Sequence, residues 1–301
     1  MMPPTHIGEV RTGDRVATID RIGKFLTLGT LGSGAHSTIL HVRRQADSRE
    51  YALKLVTIAD KEEMKFLDQA IHEFRVAQML SHPNLIKIYC LEIQKDWFFR
   101  VRKVSLLIEL VNGKTLDLVP PMPMNKLVPV LAQIASGLVH MHRRNVYHGD
   151  LKPNNILFGK RAEVKIIDYG LATIKGEPKD RIQGTPEYMA PETIRGKVIN
   201  EKSDIYNFGA TMYRLTTLHL PASFGATAES AKLGEKAWNS RFVPVQDHND
   251  NVPESLCDLI HGCMSYKPEQ RPERMSDVFE TLKEIAEEFG EVVEGGTDPG
   301  A

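Results

Sequence analysis

The chain has few of the features that would narrow its function at once. Only three of its 301 residues are cysteine: Cys90, Cys257 and Cys263. An odd, unpatterned set excludes a disulfide framework and suits a reducing compartment. Cys257 and Cys263 also lack the short spacing of a zinc knuckle, so all three are expected in the core. Net charge is nearly absent, since 38 Lys plus Arg oppose 39 Asp plus Glu to leave −1. That balance gives no electrostatic reason to name nucleic acid or an anionic membrane as a general partner. No apolar run reaches the length of about 18 residues that a membrane-spanning helix needs. Residues 1–8 show no basic stretch leading into an apolar one, so no signal peptide is read there and a cytoplasmic location is expected. There is no internal repeat. What remains is 42% hydrophobic and 26% charged, an ordinary globular composition with length for one large domain or two lobes.

Residues 1–20 are weakly patterned and read as an N-terminal extension. A strand-like region broken by glycines runs from Phe25 to Val42, and Tyr51 to Val56 reads as a further strand. A helix is expected from Asp60, because Asp60 and Glu63 fit a capping box and Leu67, Ile71 and Phe74 recur at helical spacing. His82-Pro83-Asn84 ends it. Strands are expected over 85–91 and 104–111, with Trp97-Phe98-Phe99-Arg100 on or near a hairpin between them. Asn112-Gly113 reads as a turn and as the boundary between an N-lobe, 21–111, and a C-lobe, 112–289. Beyond it come three helical stripes: Leu127, Leu131, Ile134, Leu138 and Met141; Ile205, Phe208, Met212 and Leu215; and Met275, Val278, Phe279, Leu282, Ile285, Ala286 and Phe289. All three read as core. The acidic, Gly- and Pro-containing end, 290–301, is expected to be disordered. Strands and one helix followed by helices suggest a small sheet-rich lobe on a larger helical one, with the cleft between them as the natural ligand site.

Two short stretches carry the most specific chemistry. His148-Gly149-Asp150-Leu151-Lys152-Pro153-Asn154-Asn155 is followed by Asp168-Tyr169-Gly170. Phosphoryl transfer from a metal nucleotide needs one carboxylate to orient the attacking hydroxyl, and a carboxamide and a second carboxylate as hard oxygen ligands. Asp150, Asn155 and Asp168 supply that set. Upstream lie Gly32-Ser33-Gly34-Ala35-His36-Ser37-Thr38-Ile39 and Ala52-Leu53-Lys54, and then Ile108-Glu109-Leu110-Val111. Downstream lie Gly184-Thr185-Pro186-Glu187-Tyr188-Met189-Ala190-Pro191-Glu192 and Gln270-Arg271-Pro272. Together these motifs resemble the catalytic core of eukaryotic-type protein kinases, over roughly residues 25–288.

The resemblance implies an α+β, bilobal protein-kinase-like fold with ATP in the cleft. It also implies a set of roles. Leu31, Gly32, Ser33 and Gly34 belong to a phosphate-covering loop, and Ile39, Ala52 and Leu157 sandwich adenine. Lys54 contacts the nucleotide phosphates, with Glu73 as its partner. Ile108, Glu109 and Val111 form the hinge that holds adenine. Asp150 accepts or orients the substrate proton, Lys152 neutralises charge on the transferred group, and Asn155 and Asp168 bind magnesium, with manganese as the alternative metal. Asp204 anchors the catalytic loop, and Glu192 pairs with Arg271. Lys152 and Gly184-Thr185 follow the Ser/Thr-specific branch, so the expected reaction is transfer of the ATP γ-phosphate to Ser and Thr hydroxyls of proteins, autophosphorylation included. Nucleic acid is not expected as a partner, and the oligomeric state is left open.

Departures keep two rivals in view. Ser37 replaces the third glycine of the loop, Ile39 the usual valine, and Tyr169 the usual phenylalanine. Ala77, one turn after Glu73, is smaller than is common in the family and suggests a mobile helix. The Ser37 and Ala77 departures keep a pseudokinase scaffold in view, which loss of Lys54, Glu73, Asp150, Asn155 or Asp168 would favour, but all five are present. The His-Gly-Asp triplet also resembles small-molecule phosphotransferases, against which stand Lys152, Thr185 and Ala190-Pro191-Glu192. The absence of the family's arginine at Gly149, together with compact loops, resembles bacterial Ser/Thr kinases.

That arginine normally pairs with a phosphate on the activation segment, so its absence removes the main electrostatic route for phosphorylation to order the segment. Activity is therefore expected to survive phosphatase treatment, and Thr173→Ala and Tyr188→Phe to stay active. Thr185 is a poorer probe, because the resemblance also places it against Asp150 and Lys152. Loss of activity on dephosphorylation would contradict this expectation.

Overall fold

The β-branched and aromatic residues of the first third of the chain form a sheet, and the apolar stripes of the remainder form helices. The structure is a computed structural model that describes residues 21–34, 36–60, 62–177, 183–196, 198–221 and 234–293. The N-terminal extension, 1–20, and the last part of the expected tail, 294–301, lie outside the described residues, as does Ala35 of the glycine-containing loop. The chain divides into two units. One comprises the residues up to Arg75 together with Lys87–Val111, and the other Val76–Ile86 together with the residues from Asn112 onward.

The first unit is built on six antiparallel strands: β1 (Arg21–Ile22), β2 (Phe25–Ser33), β3 (Ser37–Arg44), β4 (Glu50–Thr57), β5 (Ile88–Lys95) and β6 (Val101–Ile108). Their order is β1-β2-β3-β4-β6-β5. Alternation along these strands buries Phe25, Val42, Tyr51, Leu53 and Leu107 in one cluster. Helix α1 is Met64–Gln78. It starts later than expected because the box closes differently. The Asp60 carboxylate accepts the N–H groups of Glu62 and Glu63 at 2.8 and 3.1 Å, while Glu63 reaches back to Ala59 N–H at 2.6 Å. The buried face is also rotated from the expected stripe. Leu67, Ala70, Glu73, Val76 and Ala77 are buried, whereas Ile71 is exposed.

Three further expectations need correction. The strand expected over 85–91 starts at Ile88, because Leu85 instead sits in a bridge to Ile166 within the second unit, closed by Ile166 N–H to Asn84 O and Ile86 N–H to Ile166 O. The strand expected over 104–111 runs from Val101 to Ile108. Cys90 lies on the edge strand β5 and is exposed, while Cys257 and Cys263 are buried.

The second unit centres on α2 (Met124–Arg143), buried almost all round and packed on α7 (Met275–Glu288). Helix α4 (Glu201–Thr217) packs on α6 (Glu254–Cys263), and α3 (Pro191–Gly196) and α5 (Glu235–Asn239) are short. Asn200 and Ser203 exchange side chain-to-backbone hydrogen bonds of 3.1 and 2.9 Å, fixing where α4 begins. Of the expected stripes, Leu215 is only half-buried and Phe289, beyond α7, is exposed. Arg271 grips Glu192 through two hydrogen bonds of 2.6 and 2.8 Å. No helix among the described residues is long and apolar enough to cross a membrane.

Small strands frame the loops of this unit: β7 (Gly113–Thr115), β8 (Val146–Tyr147), β9 (Ile156–Gly159), β10 (Val164–Ile166) and β11 (Thr173–Ile174). Asn112-Gly113 is thus not a turn, because Gly113 opens β7 and pairs with Gly159 on β9. A Cβ on Gly113 would sit 2.2 Å from the Phe158 carbonyl oxygen, and the next nearest atoms are also β9 backbone, which cannot yield as a side chain would. Gly113→Ala is expected to destabilise by about 2 kcal/mol or more in urea unfolding. Gly262→Ala, in α6 with nothing within 4 Å, is expected to stabilise by up to about 1 kcal/mol.

Candidate active site

The segment between β8 and β9 is held from below by α4. Asp204, in the first turn of α4 and fully buried, accepts N–H bonds from His148 at 2.7 Å and Gly149 at 2.9 Å. Asn207 donates to Tyr188 O, and Thr211 Oγ1 lies 3.4 Å from Leu151 O. Residues 204, 207 and 211 share one face of the helix. Polar residues three and then four apart, starting from Asp204, were the sequence signal for Asn207 and Thr211, and it was missed there.

The loop so held brings Asp150, Lys152, Asn155 and Thr185 together. Lys152 Nζ donates to Asp150 Oδ2 at 2.8 Å and to Thr185 Oγ1 at 2.6 Å. Thr185 N–H donates to Asp150 Oδ1 at 2.8 Å. Asn155 Nδ2 donates to the Asp150 carbonyl at 2.8 Å and lies 3.4 Å from its carboxylate. Asn155 O accepts from Ile167 N–H at 2.9 Å, so Asp168 follows directly from a residue tied to this loop. Asp168 is exposed, with a left-handed backbone at φ 66°. Tyr169 beside it is fully buried, and its hydroxyl donates to Ile86 O at 3.1 Å, the partner that a buried phenol requires. His148, also missed as a candidate, lies 3.2 Å from Ile167 O through Nε2 and accepts Asp150 N–H at 3.3 Å through Nδ1. Gly149 has φ +74° with Leu171 O and Ile199 3.1 Å from a hypothetical Cβ, so this backbone does not favour a side chain. Leu157, on β9, is half-buried.

The remaining candidates lie in the first unit. Lys54 Nζ and Glu73 Oε2 are 2.7 Å apart, and the Glu73 side chain is only 5% exposed. Ile39 and Leu106 flank Lys54 in register, and Ile108 pairs with Ala52. Gly32 pairs with Ile39, and Gly34 N–H closes the β2–β3 hairpin on Ser37 O at 2.8 Å. Leu31, Ser33 and Gly34 are exposed, and the space beside Gly32 is open. Glu109 N–H donates to Lys87 O at 2.9 Å while its carboxylate accepts from Lys87 N–H at 3.2 Å, and Val111 is half-buried.

Residues 25–283 match the family described as the protein kinase domain. The chain belongs to the protein kinase family. It is 27% identical over 269 residues to serine/threonine-protein kinase PrkC of Bacillus subtilis, covering 87% of this chain and 40% of that protein. It is 30% identical to dual specificity protein kinase zakA of Dictyostelium discoideum, covering 78% and 32%. Probable serine/threonine-protein kinase nek2 of the same organism is 29% identical, at 81% and 59%. The chain thus spans about a third to six tenths of these relatives.

Within this kinase domain a buried histidine, His142 at the end of α2, links stability to pH. Its Nε2 lies 2.8 Å from Asp204 and its Nδ1 3.4 Å from Glu201. Burial opposes its charge, but the Asp204 and Glu201 contacts outweigh burial and push its pKa up to about 9. Burial likewise opposes charge on Asp204, yet His142 and the loop N–H groups hold it below the usual carboxylate range. A raised histidine stabilises fully below its unfolded value near 6.5 and loses that effect as pH climbs through the folded value. The lowered aspartate acts in the opposite sense, losing its effect as pH falls below the normal carboxylate range. Unfolding free energy is therefore expected to decline between pH 6.5 and about 9, by on the order of 1–3 kcal/mol. His142→Gln should be less stable and should flatten that slope. A flat profile in the native protein would contradict the pair's role.

Proposed function

We propose that the chain is an ATP-dependent protein kinase that transfers the γ-phosphate to Ser and Thr hydroxyls of proteins, itself included. The observation that carries this reading is the Asp150–Lys152–Thr185–Asn155 network, which fixes one carboxylate and one ammonium with 2.8 Å between them. We take residues 21–289 as the catalytic domain and place it in the cytoplasm, on the sparse and unpatterned cysteines.

In this reading Asp150 accepts the proton of the acceptor hydroxyl. The hydroxyl oxygen attacks the γ-phosphorus, the bond from that phosphorus to the bridging oxygen breaks, and ADP departs. Lys152 offsets charge on the transferred group, and Thr185 holds Lys152 and Asp150 in register. Lys54, fixed by Glu73, holds the nucleotide phosphates, beneath a loop of Leu31, Gly32, Ser33 and Gly34. Ile39, Ala52 and Leu157 enclose adenine, with Ile108, Glu109 and Val111 as its hinge. The donor set fits magnesium. Asn155 commits its NH2 to Asp150, which leaves the amide oxygen as its remaining polar atom, and Asp168 offers an exposed carboxylate. Magnesium is commonly held by one or two such oxygens plus substrate phosphates, and manganese would suit the same donors. When bound, the ion would neutralise phosphate charge.

The relatives include serine/threonine and dual-specificity kinases by name, so the acceptor needs direct analysis. Purified protein with labelled ATP and magnesium is expected to yield phosphoserine or phosphothreonine on itself or on a generic basic protein. Asp168→Ala and Asp150→Asn should each lower transfer by at least about a hundredfold. Nucleotide binding that needs Lys54, without transfer to protein, would instead favour a scaffold or a small-molecule enzyme.

A further inference from the structure

The β5–β6 hairpin ends in Trp97, Phe98 and Phe99, which are 84%, 73% and 83% exposed. Three consecutive aromatics in water at one tip form an unusual apolar patch for a soluble surface. The tip is not a loose loop. Asp96 accepts N–H bonds from Phe98 at 2.8 Å and Arg100 at 3.0 Å through one carboxylate oxygen, and the Arg102 guanidinium at 2.9 Å through the other. Asp96 N–H and Arg100 O close the hairpin at 2.8 Å, and Phe99 takes a left-handed backbone at φ 61°. The turn is built so that the rings project and its only acid is occupied.

Around the rings stand cations. Residues 95–103 hold Lys95, Arg100, Arg102 and Lys103 against the single acid Asp96, which Arg102 neutralises. Arg100 lies over the Phe98 ring, 5.8 Å from its centroid. Glu92, the next acid down β5, is three residues below Lys95, about 10 Å along the strand. The chain as a whole is close to neutral, but this tip is basic and aromatic.

We propose that the β5–β6 tip is a membrane-surface finger. It sets Trp97, Phe98 and Phe99 into the interfacial layer of an anionic bilayer while Lys95, Arg100 and Lys103 meet the lipid headgroups. Trp97, whose ring has one polar edge, suits that layer, Phe98 and Phe99 add apolar area that inserts at its boundary, and flanking Lys and Arg are drawn to anionic lipid. A protein partner fits less well. The tip is convex, and three aromatic side chains bury at most roughly 750 Å², still short of the ~800 Å² that a stable protein interface takes from each side. An interfacial anchor needs only shallow insertion, and each nearby cation adds roughly fivefold in affinity.

The two tryptophans make the test direct, because Trp97 is exposed whereas Trp238 is only 7% exposed. Native protein is titrated with vesicles of equal parts phosphatidylcholine and phosphatidylglycerol, then with phosphatidylcholine alone. The expected result is a blue-shifted emission and co-sedimentation with the anionic vesicles, both weakening as salt rises. Trp97→Ser/Phe98→Ser/Phe99→Ser should bind at least roughly tenfold less, and Lys95→Ala/Lys103→Ala several-fold less, while phosphoryl transfer in vesicle-free solution stays unchanged. That transfer also reports that the variants fold. Three outcomes overturn the proposal: no shift and no sedimentation of native protein, equal sedimentation of the triple variant, or a blue shift that follows protein concentration without lipid, which would make the tip a contact between copies.

Discussion

The buried carboxylate of Asp204 is the constraint on which the candidate site depends. It lies in the first turn of α4, and it accepts the backbone N–H groups of His148 and Gly149 on the strand side of the loop. A bare carboxylate in a fully buried position would be costly. His142, supplied by α2, offsets that cost at Oδ2, the oxygen that also accepts His148 N–H. Two core helices and the loop are therefore tied to one charge pair. The loop need not be stiff by itself, because its backbone is bonded to a helix that is capped at its own start by Asn200 and Ser203. Asp150, two residues beyond His148, inherits that fixed position.

Much of this was legible in the sequence because phosphoryl transfer demands residue types at set spacings. Asp150, Lys152, Asn155 and Thr185 meet as the motifs implied, and so do Lys54 with Glu73 and Glu192 with Arg271. What escaped was information that spacing does not hold. The α1 stripe turned by one position because the Glu73 carboxylate, committed to Lys54, occupies the buried face that apolar periodicity assigns to Ile71. The apolar run 85–91 does not belong to one strand, since Leu85 and Ile86 pair with Ile166 rather than continuing the ladder. Gly113 read as a turn for lack of a side chain, whereas its bareness serves the close approach of β9. Cys90 was assigned to the core by residue type, but edge strands have an open face.

The departures from the family pattern take on a physical sense in place. Gly149 occupies a left-handed backbone against Leu171 O and Ile199. A larger residue there would have to change the loop as well as add a charge, so the lost arginine is part of the local geometry and not a detachable switch. The Asp96-pinned hairpin is likewise a local solution, in which one carboxylate satisfies a turn and leaves its rings to the surroundings.

The Tyr169 hydroxyl has a pharmacological consequence. Its bond to Ile86 O joins the Asp-Tyr-Gly segment to a backbone carbonyl that would otherwise be left without that donor. A phenylalanine at this place could leave its pocket without breaking a hydrogen bond. The tyrosine forfeits one, which makes the ring-out state about two- to tenfold rarer. A small molecule able to bind only when that ring has swung away would see its apparent affinity lowered by the same factor. Inhibitors that accept the ring where it lies carry no such handicap, and the hydroxyl thus acts as a built-in discriminator between two classes of drug.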